Sequence, residues 1–64
     1  MIDLTKLNGE EIIVNIDLIE TIEATPDTVL TLINGKKMVV LESPDEIVLK
    51  AIAFKKSIFE KYIF

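Results

Sequence analysis

The chain has 64 residues, neither cysteine nor histidine, and a formal net charge of −4. So short a chain usually leans on disulfides, a structural metal or oligomerisation, and the missing residue types remove disulfides and the usual zinc sites. The acidic balance disfavours nucleic acid, whose binding rests on basic residues that neutralise phosphates; all seven basic residues are lysine, so no guanidinium fork is present.

The first element expected is a strand from Ile2 to Leu7, turned by Asn8-Gly9 and returning over Glu11 to Val14. The same phrase recurs downstream, where Thr28 to Ile33 and Lys37 to Leu41 flank Asn34-Gly35. Asn-Gly between apolar runs predicts a β-hairpin, with both residues at the centre of a type I′ turn. The charged pair after each Asn-Gly changes sign, Glu10-Glu11 in the first copy and Lys36-Lys37 in the second. Between the hairpins, Asn15-Ile16-Asp17 predicts a bend or a single helical turn, because Asn and Asp bond to nearby backbone groups. Leu18 to Thr25 is rich in β-branched residues and reads as a strand, and Thr25-Pro26-Asp27-Thr28 as a type I turn into the next one. The second hairpin, nearly continuous in its apolar character, is expected at the centre of the sheet, and the more polar first hairpin at its edge.

Ser43-Pro44-Asp45-Glu46 is a capping box with proline at the first helical position. The helix it opens has two apolar stripes, Ile47, Ala51, Phe54, Ile58 and Val48, Ile52, Phe59, Ile63. Together they exceed the ~100° that a core-facing helix needs. One stripe covers the sheet, and the other needs a further partner. The candidate interaction residues are therefore Val48, Ile52, Lys55, Phe59, Tyr62, Ile63 and Phe64, with Lys55 at the rim, its stem on apolar surface and its ammonium in water. The fold expected is α+β and mostly β. One domain spans residues 1–64, a five-stranded antiparallel curved sheet or small partly open barrel over 2–41 followed by one helix over 43–62.

No catalytic constellation can be assembled. Ser43 is committed to the cap, Ser57 has no histidine base, and no glycine-rich phosphate loop is present. Glu20 and Glu23 read as solvated carboxylates, and no metal or other cofactor is expected. No signal-peptide pattern follows Met1-Ile2-Asp3, and no apolar run approaches the roughly 20 residues of a membrane span. The expectation is a soluble, cytoplasmic, non-enzymatic protein that works through binding surfaces, as a homo-oligomer.

Leu4-Thr5-Lys6-Leu7-Asn8-Gly9, Asn15-Ile16-Asp17-Leu18-Ile19-Glu20, Thr25-Pro26-Asp27-Thr28-Val29-Leu30-Thr31-Leu32 and Asn34-Gly35-Lys36-Lys37, closed by Glu42-Ser43, resemble the small flagellar FlbD family, also called the swarming motility SwrD family. The likeness covers roughly residues 1–60. It implies a role in bacterial motility in support of the flagellar motor, with a motor or assembly component as partner at the flagellar base; a separate reading is a purely structural oligomer whose helix end docks on a membrane component, a peripheral contact with a membrane protein. It carries over no catalytic residue. Three positions depart from the family pattern: Ile16 stands where proline is expected, Lys6 for arginine and Met38 for an aromatic residue. A second likeness, from Met1-Ile2-Asp3-Leu4-Thr5-Lys6 through Gly9-Glu10, is to the carbon storage regulators, and would imply an RNA-binding post-transcriptional regulator. It ends after the first hairpin and conflicts with the acidic charge, so it ranks second.

Overall fold

The computed structural model describes the backbone of residues 1–63 and the side chains of residues 1–60. In chain order the elements are β1 (Ile2–Thr5), β2 (Glu11–Val14), a 3-10 turn (Ile16–Leu18), β3 (Ile19–Ala24), β4 (Thr28–Leu32), β5 (Lys37–Val40) and α1 (Pro44–Ile63). The strands form two antiparallel sheets, β1-β2 and β3-β4-β5. Neither the expected single five-stranded sheet nor a partly open barrel is formed. Among the described residues, backbone pairing between the sheets is confined to the ends of β1 and β5, at a Lys6–Val40 bridge and a bond from the Leu41 N–H to the Thr5 carbonyl (2.8 Å). Pairing stops there because the chain after Val40 reaches Pro44, the start of α1, within four residues and leaves nothing to lie alongside Ile2–Leu4. Of the hairpin expected at the centre of the sheet, only β4 is central; β5 is at the edge, because the strand that would have flanked it, β1, belongs to the other sheet.

Both Asn-Gly hairpins are present, with a different turn from the one expected. The Gly9 N–H donates to the Lys6 carbonyl (2.9 Å) and the Lys6 N–H to the Glu10 carbonyl (2.9 Å). The second hairpin repeats this, Gly35 N–H to Leu32 carbonyl and Leu32 N–H to Lys36 carbonyl, both 2.8 Å. Only the glycines have positive φ, 89° at Gly9 and 87° at Gly35. Each loop is thus a three-residue type I turn followed by a glycine bulge, in place of a two-residue type I′ turn. The asparagines explain the preference. Asn8 Oδ1 accepts from the Glu10 N–H (3.0 Å) and Asn34 Oδ1 from the Lys36 N–H (2.9 Å), so each side chain satisfies the amide that follows its glycine.

Asn15 uses the same chemistry between the hairpins, its Oδ1 accepting from the Asp17 N–H (3.0 Å) while its carbonyl accepts from the Leu18 N–H (3.0 Å). The bend forms without a proline at Ile16. β3 then carries an irregularity: Ile19 faces Leu32 but Thr21 faces Thr31, so Glu20 is an extra residue. The bulge resets the alternation. Ile19 and Ile22, three apart, both pack against the core, where a regular strand would point them to opposite faces. β3 and β4 are joined by residues 25–27, with the Thr25–Pro26 peptide cis.

The core is small: Ile2, Leu4, Val14, Leu30, Val40 and Ile47 are buried, drawn from four strands and the helix. At the sheet junction, the Glu42 carboxylate accepts from both the N–H and the hydroxyl of Thr5, each at 2.8 Å. The helix begins directly after this clamp. Ser43 N–H donates to Glu46 Oε1 (3.1 Å) and Glu46 N–H to Ser43 Oγ (3.2 Å), the reciprocal capping box anticipated from the residues. Lys50 Nζ donates to the Asp3 carbonyl (2.9 Å), which adds a tie to β1.

Two predictions follow from the helix start. Ser43→Ala should lower the free energy of urea unfolding by about 1 kcal/mol, by leaving the Glu46 amide without its acceptor. Partial burial pushes the Glu42 carboxyl up, but the two Thr5 bonds and the nearby Lys50 ammonium outweigh it and hold the group below its ordinary value. A carboxyl depressed on folding adds stability that is complete above its unfolded value and is lost as pH falls through the folded value. Glu42→Gln should therefore be less stable than the parent at neutral pH, and the gap in urea midpoint should close on acidification.

Candidate interaction surface

Helix α1 is anchored at its first turns and grows exposed toward its end. Ile47 is 1 % exposed, Ala51 and Phe54 are half-buried, and Ile58 is 39 % exposed. The stripe assigned to the core thus does its work only through Phe54, because the two small sheets are shorter than the 20-residue helix laid over them. Beside it runs the surplus stripe. Val48, Ile52 and Phe59 are 48, 56 and 63 % exposed, and Leu49, which the sequence reading left out, is 66 % exposed. The capping box sets where this stripe begins, and its 3.6-residue period keeps it on one side.

The exposed stripe is one wall of a shallow groove. Ile16 and Asp17 from the 3-10 turn face Ala51, Ile52, Lys55, Lys56 and Phe59 across it. The groove continues along β3, where Ile19, Glu20, Thr21 and Ile22 face Ile47, Val48 and Ile52. Lys55 lines it as well, with an unforeseen partner: its ammonium lies 3.0 Å from Asp17 Oδ1. Both side chains are largely exposed, so the pair places the Lys55 head more than it stabilises the fold. Of the seven candidates, the structure brings Val48, Ile52, Lys55 and Phe59 to one surface. The side chains of Tyr62 and Ile63, and the whole of Phe64, lie outside the described residues.

A second apolar area was not anticipated. Met1, Ile13 and Leu18 are 55, 72 and 42 % exposed and share a cleft with Ile12, Leu32 and Met38 between the two sheets. The signal was present in Ile12-Ile13-Val14, which lacks polar alternation: a strand with one buried face must turn one of these outward. Reading a single continuous sheet hid it, because such a sheet would have closed this cleft.

The polar chemistry is sparse. Glu20 and Glu23 are both exposed, and among the described residues no three acidic side chains converge as cation ligands. Glu10 pairs with Lys6 in its own hairpin (3.2 Å). No described helix is long and apolar enough to cross a membrane. What the surface offers is apolar area edged by lysines.

Core and stripe should separate in mutagenesis. Ile47→Ala should cost about 2–5 kcal/mol of unfolding free energy, while Ile52→Ser, on the exposed stripe, should stay within about 0.5 kcal/mol of the parent in the isolated subunit. Urea unfolding at low protein concentration checks both.

No curated protein and no solved structure matches the chain. A family model does: FlbD, described as flagellar and swarming motility proteins, matches residues 1–59 and takes in both hairpins, the bulged strand and the helix as far as Phe59. The chain belongs to the FlbD family of flagellar and swarming motility proteins.

Proposed function

We propose that this protein is a non-enzymatic, motility-associated adaptor or assembly factor that supports the flagellar motor through protein–protein contacts. Family membership supports the motility role. The observation that carries the contact mechanism is the stripe of Val48, Ile52 and Phe59, exposed on a helix that extends past its own core. Burying a side chain of this size gains about 1.5–3 kcal/mol, so a surface holding several is a strong association site for so small a subunit. Acting as a homo-oligomer fits the small core and the absence of cysteine and histidine. Action at the cytoplasmic side of the flagellar base, against a motor component at the membrane, fits the same surface. The RNA-binding alternative rests on the first hairpin alone, and the match to the motility family spans both hairpins and most of the helix.

A deletion strain complemented with the wild-type chain should regain its motility zone in soft agar, whereas Phe59→Asp, at equal abundance, should leave the zone at the deletion level. In-cell cross-linking should retrieve a flagellar component with the wild type and lose it with Phe59→Asp. Full motility of the variant would remove the helix face from the mechanism.

A further inference from the structure

We propose that the occupant of the exposed helix face is a second copy of this chain, docked as an antiparallel helix pair in one register. This rests on the reading that the helix face is a contact surface, and it names the contact. The exposed side of α1 has Asp45, Val48, Ile52, Lys55 and Phe59 at alternating spacings of three and four, the seam of a two-helix coiled coil. All five are exposed. The seam is charged in an ordered way: acidic at its first position, apolar in the middle, basic toward the end.

That order selects a geometry. A parallel pair in register sets Asp45 against Asp45 and Lys55 against Lys55, two like-charge layers. An antiparallel pair centred on residue 50 sets Val48 against Ile52 of the second copy, twice by symmetry, and Asp45 against Lys55. It also carries Phe59 to the start of the second helix, where Leu41 stands 58 % exposed. Sliding by one heptad in either direction sets a charge against an apolar side chain, Lys55 on Ile52 or Asp45 on Val48. Only the register centred on 50 pairs apolar with apolar and acid with base throughout. Lys56, beside Lys55 and in no ion pair among the described residues, supplies a second cation for Asp45, since Lys55 already holds Asp17. Identical patches related by a two-fold axis close on themselves, which gives a dimer and no open filament.

The test uses the purified 64-residue chain, which has no cysteine of its own. Light scattering and sedimentation equilibrium over a wide concentration range should give twice the 7.2 kDa subunit mass, and Ile52→Glu should return it to the subunit mass with the circular dichroism spectrum unchanged. An equimolar mixture of Val48→Cys and Ile52→Cys chains should oxidise to a disulfide between unlike chains. Phe59→Cys alone should not cross-link to itself, because its two copies lie about 27 Å apart along the axis at 1.5 Å per residue, far beyond disulfide reach. A wild type that stays at subunit mass, a dimer that Ile52→Glu leaves intact, or Phe59→Cys chains that join each other would each overturn the inference. The adaptor reading would survive any of these, since it is decided by motility and by capture of a flagellar component.

Discussion

The fold turns on the junction where β1 and β5 touch. A single bridge between Lys6 and Val40, one backbone bond from Leu41 to Thr5, and the Glu42 carboxylate on both donors of Thr5 hold the two sheets together. A charge-assisted pair of bonds is stronger than neutral ones, and here one of the two gives the Thr5 amide its acceptor. The next residue is the helix cap. The clamp therefore does two tasks: it joins the sheets, and it aims α1 so that Ile47 enters the space between Leu4, Leu30 and Val40. Because the pairing ends so soon, the two sheets stay separate, and the cleft with Met1, Ile13 and Leu18 stays open.

From this follows an imbalance between helix length and core size. A 20-residue helix is about 30 Å long, and the strands beneath it have four to six residues each. The helix meets its sheet for two to three turns and then continues with its apolar residues uncovered. A chain of this size cannot bury half its residues within itself, since the fraction of surface buried falls with length. Part of its surplus is sorted onto one side of α1, where it can be used, and the rest stays exposed at Leu7 and Ile33 in the hairpin loops and at Ile13 beside the cleft.

Much of this was legible in the residues. All five strands, the turn after Asn15, the capping box and the width of the apolar arc follow from short-range rules: asparagine bonding its neighbour's amide, glycine taking positive φ, a serine and a glutamate exchanging bonds three residues apart. Four of the seven candidate surface residues, Val48, Ile52, Lys55 and Phe59, stand together as the helical period required. The turn type at the hairpins was less legible, because Asn-Gly suits both the two-residue turn and the three-residue turn with a glycine bulge, and the choice depends on strand register. The bulge at Glu20 was illegible for a related reason. Ile19 and Ile22 look misplaced on a strand until pairing with Leu32 and Leu30 shows the inserted residue between them.

The amino-acid sequence by itself determined where the five strands and the turn after Asn15 lie, where the helix begins and which of its faces carries more apolar residues than one sheet can take, since these depend on groups within a few residues of each other. Only the tertiary structure decided that five strands divide into two sheets, that Glu42 reaches 37 residues back to Thr5, that Lys55 meets Asp17, and which apolar side chains are left in water. Those outcomes depend on where β5 runs out beside β1. That is a balance between one more ladder bond and the start of a capped helix, and no pattern along the chain expresses it.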